Sequence, residues 1–293
     1  MAEVAQKQLL LGLIGRGLHE PLAATLQRLE AGRHGVHIHY QLIDLDLPAS
    51  RTGAQDVPLL VRAAHIMGFV GLDIALPLQQ AVVPVLDSLS DEAAVLGSVN
   101  AVVIRDGRTV GHQTEGSGWT WGLQRALPGA DLGRVLLLGC GGAGAAIAHA
   151  VLGLGAPQLI VFDSDAGRAE SLVARLALRH GAGRVRFGGD PAGGGLPGAL
   201  AQASGLIHAT PADAAGRRGT PVPERLLRPG LWVSEVVDVP RESELLQAAR
   251  RGGCATMNAG PMIVGWALVG FRLFTGLDPD PTRMEAHLRR LVY

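Results

Sequence analysis

The sequence predicts an α/β protein of two domains, the second a doubly wound parallel sheet, and three observations carry that expectation. The chain has 293 residues, enough for about two domains of roughly 100–200 residues each. Short apolar runs alternate with helical patterns along most of its length, the order in which parallel sheets are built. The apolar run Val135–Leu138 then ends in Gly139-Cys-Gly-Gly-Ala-Gly144, a strand feeding a glycine turn and a helix.

Leu10–Ile14 reads as a first strand and Pro21–Glu30 as a helix. His37–Asp44 alternates in character as a strand does. Asp56–Met67 reads as a helix, because Val57, Leu60, Val61 and Ala64 share one face. Phe69–Ala75 is a third strand, and a further helix is expected from Gln79 to Leu86. Val99–Arg105 and Val110–Gln113 flank Asp106-Gly107, a hairpin signal. From Gly116 to about Gly260 strands and helices alternate, with 181–198 expected as glycine-rich loop. Gly205–Ala209 and Leu231–Val237 read as strands and Glu242–Arg251 as a helix. Pro261–Thr275 is a helix, and a short one follows Asp278-Pro-Asp-Pro.

The glycine turn suits a dinucleotide. Glycines let the backbone approach a pyrophosphate, and the helix start offers unpaired N–H groups and a positive dipole end. Gly139, Gly141, Gly142, Ala143 and Gly144 are the expected cradle. About 20 residues on, the run Leu159–Phe162 ends at Asp163, placed to accept from an adenosine ribose 2′-OH and to repel a 2′-phosphate. NAD is therefore favoured over NADP. Arg168 is expected on a helix surface.

Composition excludes several classes. The formal net charge is zero and no basic block appears, so no nucleic-acid partner is expected. Cys140 and Cys254 are the only cysteines, without a C-x-x-C pair, which fits a reducing compartment and argues against zinc. His37 and His39 share a strand face near His34, and an exposed face explains them better than a metal. The start lacks the cationic lead of a signal peptide, and Pro261–Phe274 is too short to span a bilayer. The expectation is a cytoplasmic protein acting on a small molecule, compatible with a homodimer. Lys7 is the only lysine.

Gly12-Leu-Ile-Gly15, Tyr40-Gln-Leu-Ile-Asp-Leu-Asp46, Pro77-Leu-Gln-Gln-Ala-Val-Val-Pro84 and Gly97-Ser-Val-Asn-Ala-Val-Val103 occur in this order. Gly111-His-Gln-Thr-Glu-Gly-Ser-Gly-Trp119, the glycine turn, His208-Ala-Thr-Pro211, Glu235-Val-Val and Phe271-Arg-Leu-Phe-Thr-Gly276 follow. Together they resemble the shikimate dehydrogenase family, particularly its quinate/shikimate branch, almost end to end. The resemblance implies an α/β substrate domain over residues 1–115, completed by helices within 262–293. It further implies a Rossmann domain over 116–261 and a cleft between the two. It implies hydride transfer between a nicotinamide and a ring hydroxyl or ketone.

The departures from the family pattern concern the substrate half. Gln79 stands where the family has its lysine, and Glu115 where it has its aspartate. Pro21 and Ala23 replace two hydroxyl residues, Asp238 a tyrosine and Trp266 a glutamine, while Asn100 is retained. An amide cannot carry a proton near neutral pH. Glu115, expected in a turn, is therefore the candidate proton carrier, with Gln79 and Asn100 as hydrogen-bond donors and a substrate less polar than shikimate. Ala209, Thr210, Pro211, Val237 and Gly260 are implied to border the cofactor, and His208 its nicotinamide side. The alternative is a nucleotide-binding sensor or partner protein without turnover.

Overall fold

The computed structural model describes residues 7–46, 53–210, 220–236 and 242–292. The chain divides into two compact units, one of residues 1–114 and 266–291, the other of 115–265 and 292–293.

Unit 1 holds strands β1 (Lys7–Gly15), β2 (Val36–Asp44), β3 (Phe69–Ile74), β4 (Ser88–Leu89), β5 (Ala101–Arg105) and β6 (Arg108–His112). They form one sheet in the order β2-β1-β3-β5-β6-β4. The first three strands run parallel, while β5 runs antiparallel to β3 and to β6. The β5–β6 turn sets Asp106 at φ 51° and Gly107 at φ 78°, the paired positive φ values that a two-residue hairpin requires. Helices α1 (Leu22–Arg33), α2 (Val57–Ile66) and α3 (Asp91–Leu96) belong to this unit. One core gathers Ile14, Leu72, Ile74 and Val102 with Val57, Val61 and Ala64 of α2. The alternating apolar positions of the strands and the i, i+4, i+7 spacing of the helix produce that face.

The expected helix at 79–86 is not formed. Turns run from Leu76 to Val82, and a single 3-10 turn covers Val83–Val85. Pro84 has no N–H to donate and excludes a regular helix through this stretch.

Unit 2 contains β7 (Val135–Leu138), β8 (Leu159–Phe162), β9 (Val185–Gly189), β10 (Gly205–His208), β11 (Trp232–Glu235) and β12 (Ala255–Met257). All are parallel, in the order β12-β11-β10-β7-β8-β9. This is the doubly wound arrangement the sequence predicts. Its helices are α4 (Glu115–Ala126), α5 (Gly142–Gly153), α6 (Ala166–His180), α7 (Gly195–Leu200) and α8 (Glu244–Arg251). Helix α9 (Ala259–Thr275) runs across the division of the units, and α10 (Pro281–Val292) follows it.

Two further corrections arise here. The stretch 181–198 contains β9 and the start of α7 and is not simply loop. Helix α4 has no counterpart in the sequence reading, and its glycines explain both the oversight and the helix. A Cβ on Gly116 would stand 2.6 Å from the Ala146 carbonyl oxygen, one on Gly122 2.8 Å from the Met262 amide, and one on Gly265 2.3 Å from the Gly118 oxygen. Glycine lowers helix propensity, but here it lets α4 lie backbone to backbone against α5 and α9. Trp119, fully buried, anchors the helix by donating from Nε1 to Ser234 Oγ at 3.0 Å. Among the described residues, no helix is long and apolar enough to cross a membrane.

Candidate functional site

The glycine turn lies at the carboxyl ends of the unit 2 strands, beside the point where strand order reverses between β7 and β10. That point is where open parallel sheets bind ligands. Gly139 takes φ 89°, and a Cβ there would stand 2.6 Å from Thr210 Oγ1 and 3.0 Å from the Ala209 carbonyl. A Cβ on Gly144 would come within 2.1 Å of the Gly139 oxygen. Gly141 caps α5 without a side chain and faces open space. Helical geometry leaves the amides of Gly142, Ala143 and Gly144 without intrahelical partners. These donors, with the helix dipole behind them, fit a pyrophosphate.

Asp163 directly follows β8 and is buried. Its Oδ2 accepts the Cys140 amide at 2.7 Å, and its Oδ1 accepts the Asp165 amide at 2.9 Å and Arg168 Nη2 at 2.7 Å. Burial alone would raise this carboxyl, but the two amides and the guanidinium outweigh it and hold it below the ordinary aspartate value. Asp163 therefore ties the glycine turn to the next strand. Arg168 is exposed on helix α6, the surface position expected, and from there it pairs with Asp163 and lies 3.8 Å from Asp165. Burial, and then the neighbouring Asp163, push the Cys140 thiol up to about 12, so it stays protonated.

His208 ends β10, and its Nδ1 lies 2.8 Å from Glu235 Oε1, while Ser243 donates to Glu235 Oε2. Ala209 donates its amide to the Leu138 oxygen, and Thr210 Oγ1 reaches the same atom at 3.4 Å. The Gly260 amide is taken by the Asn258 side chain at the start of α9. Pro211, Val237 and Asp238 lie outside the described residues.

In unit 1, the Gln79 side chain is buried and donates from Nε2 to the Ile74 oxygen at 3.3 Å. The Ile74 amide in turn donates to the Asn100 oxygen. Asn100 is fully buried, and its amide bonds Thr114 twice: Nδ2 donates to Thr114 Oγ1 at 3.0 Å and Oδ1 accepts the Thr114 amide at 2.8 Å. The structure thus brings Gln79, Asn100 and the Thr114–Glu115 junction together. Asn100 thereby fixes the protein chain at Thr114, the residue before Glu115. Glu115 is buried and begins helix α4, which corrects the expected turn. Pro21 caps α1, Ala23 is buried on that helix, and Trp266 is half-buried on α9.

Sequence reasoning missed Thr114, whose hydroxyl completes the Asn100 lock, and the pair Tyr40–Asp73. Tyr40 donates to Asp73 Oδ2 at 2.6 Å. A lone acid inside the apolar strand Phe69–Ile74 was the available signal. Among the described residues, no group of three or more His, Cys, Asp or Glu could hold a metal, and His37 and His39 are exposed. His34 pairs with Glu30.

Residues 13–102 match the family described as "Shikimate dehydrogenase substrate binding domain". A shikimate dehydrogenase (NADP(+)) of Streptomyces avermitilis is 46% identical over 289 residues, covering 99% of this chain and 98% of the relative. A quinate/shikimate dehydrogenase (NAD(+)) of Corynebacterium glutamicum is 40% identical over 94% of this chain and 96% of its own length. Among solved structures, quinate dehydrogenase from Corynebacterium glutamicum in complex with NAD superposes with a TM-score of 0.89. It is 38% identical and covers 97% of this chain and 99% of that one.

Proposed function

The chain belongs to the shikimate dehydrogenase family, and from that premise we propose that it exchanges a hydride between a nicotinamide held by unit 2 and a ring hydroxyl or ketone of a small cyclic substrate held by unit 1. The observation that carries the reading is the Gly139–Gly144 turn at the strand-order switch, whose backbone admits only glycine at Gly139 and Gly144 and whose first-turn amides fit a pyrophosphate. When bound, the nicotinamide supplies the hydride acceptor or donor. The protein supplies the rest. The amides of Gly141, Gly142, Ala143 and Gly144 take the phosphates, and Asp163 fixes the turn through Cys140. Ala209, Thr210 and Gly260 border the nucleotide, while Pro21, Ala23 and Trp266 line the substrate side. Asn100 holds Thr114 and so places Glu115. Glu115 takes the hydroxyl proton as the alcohol is oxidised and returns it on reduction, with Gln79 orienting the oxygen. No observation favours a binding protein without turnover.

Glu115→Gln tests the assignment. General acid–base groups contribute roughly 10²–10⁴-fold, so kcat should fall by about that range while nucleotide affinity by calorimetry stays within about twofold. An unchanged kcat removes Glu115 from the chemistry.

NAD is the preferred nucleotide in this reading. Asp163 and Asp165 place two carboxylates against the single guanidinium of Arg168 at the ribose edge, and the residual negative charge opposes a 2′-phosphate. Calorimetry should give NAD⁺ at least about tenfold tighter binding than NADP⁺, a difference of about 1.4 kcal/mol; the reverse order removes the preference. The same reading has the protein act on a small molecule in the cytoplasm, as a homodimer and without nucleic acid.

A further inference from the structure

Asp73 is a buried carboxyl of unit 1 that this chemistry leaves unused and that, among the described residues, no cation pairs. It lies on β3 and is 7% exposed. The flanking strands offer it only Leu13 and Ala101. Tyr40 donates to its Oδ2, and among the described residues no hydrogen bond reaches its Oδ1. Glu30, also buried in this unit, differs in being ion-paired to Arg283.

The position joins two groups of candidate residues. The neighbouring Ile74 accepts from Gln79 and donates to Asn100. On the other side, Glu20, next to Pro21 at the head of α1, lies near enough to Tyr40 to raise its phenol further. The cations of this stretch are committed: Arg16 pairs with Asp46 and Arg28 with Glu20. His19 is exposed and lies by Asp44. Lys7 opens β1 six residues before Leu13, roughly 20 Å away at about 3.3 Å per residue.

We propose that Asp73, oriented by Tyr40, accepts a hydroxyl of the substrate and makes the unit 1 site select an uncharged polyhydroxy alcohol or ketone over a carboxylate. A substrate carboxylate here meets Asp73 and, among the described residues, no uncommitted cation, which disfavours its burial. A neutral hydroxyl donates to Asp73 Oδ1, a bond strengthened by the charge of its acceptor. Burial pushes the Asp73 carboxyl up to about 7, against the opposing Tyr40 hydrogen bond, so the selection strengthens as pH rises through neutrality. Among the described residues the titratable group facing Asp73 is Tyr40 from β2, a phenol that burial and the Asp73 charge keep protonated, with Glu20 from the loop before α1 acting on Tyr40.

The proposal rests on the dehydrogenase reading, and the test separates the two. Shikimate and its methyl ester are compared as substrates from pH 6 to 9, with calorimetric NAD⁺ binding measured beside them. The wild type should favour the ester by about tenfold in kcat/KM at high pH, mainly through KM, with the ratio narrowing below pH 7. Asp73→Asn should flatten that pH dependence and bring the ratio to within about twofold. Tyr40→Phe, which keeps the carboxyl, should retain the ester preference and move the inflection to higher pH. A free acid that matches or exceeds the ester in the wild type overturns the inference while leaving the dehydrogenase reading intact. So does an Asp73→Asn variant that lowers both substrates equally. Bound nucleotide with neither compound oxidised defeats both readings.

Discussion

Glu30→Gln is expected to lower the unfolding free energy by about 3 kcal/mol at neutral pH, since breaking a buried pair leaves its partner uncompensated. Glu30 lies on α1 with its side chain wholly buried, yet it is fully engaged. Arg283 of α10 donates to both of its oxygens, at 2.7 and 2.5 Å. The Asp280 amide reaches it at 2.8 Å and His34 at 3.1 Å. This cluster joins the end of the chain to the first helix of the same unit. Burial by itself would raise the Glu30 carboxyl, but Arg283, the Asp280 amide and His34 together bring it down to about 2. The sign follows from that depression. A folded value below the ordinary 4.5 gives stability that is fully present above about pH 4.5 and lost as pH falls toward 2. Denaturant unfolding at pH 7 and at pH 3 should show the gap between wild type and variant narrowing at the lower pH. A gap that is constant with pH would mean the cluster acts by packing alone.

The second large effect is on nucleotide binding. Gly144→Ala places a methyl group 2.1 Å from the Gly139 oxygen, so the turn must move by something like an ångström. Displacements of that size cost about a hundredfold where geometry is critical, and a loss of at least that order is expected in NAD⁺ affinity. Gly141→Ala is the informative companion. Its Cβ would meet no protein atom within 4 Å, so the fold should keep its melting temperature while the methyl group obstructs the phosphates. Calorimetry and thermal unfolding of both variants decide the matter. Unchanged affinity in the Gly144 variant would show that the turn is not the nucleotide cradle.

Much of the architecture was legible because it depends on local pattern. The strand–glycine–helix passage at 135–144, the Asp106-Gly107 hairpin and the amphipathic α2 each follow from residues adjacent in sequence. Helix α4 was not legible, because its reason to be helical is tertiary. Gly116 and Gly122 weaken it in isolation and are repaid only when Ala146 and Met262 approach their backbones. The turn around Pro84 was mistaken for a helix because apolar spacing outweighed the missing N–H. At the site, residue identities were visible and partners were not. Nothing in the order of residues says that Asn100 closes on Thr114, that Arg168 folds back onto Asp163, or that Tyr40 reaches Asp73 across the sheet. The Asp163 carboxylate shows the consequence, since a position read as a ribose acceptor is also the clasp of its own glycine turn.

The most direct measurement is reduction of NAD⁺ and NADP⁺, followed at the nicotinamide absorbance band, with shikimate, quinate and their methyl esters. Nucleotide reduction dependent on one of these ring alcohols, faster with NAD⁺, is the expected result. Tight nucleotide binding with no reduction across all four compounds would contradict the dehydrogenase reading.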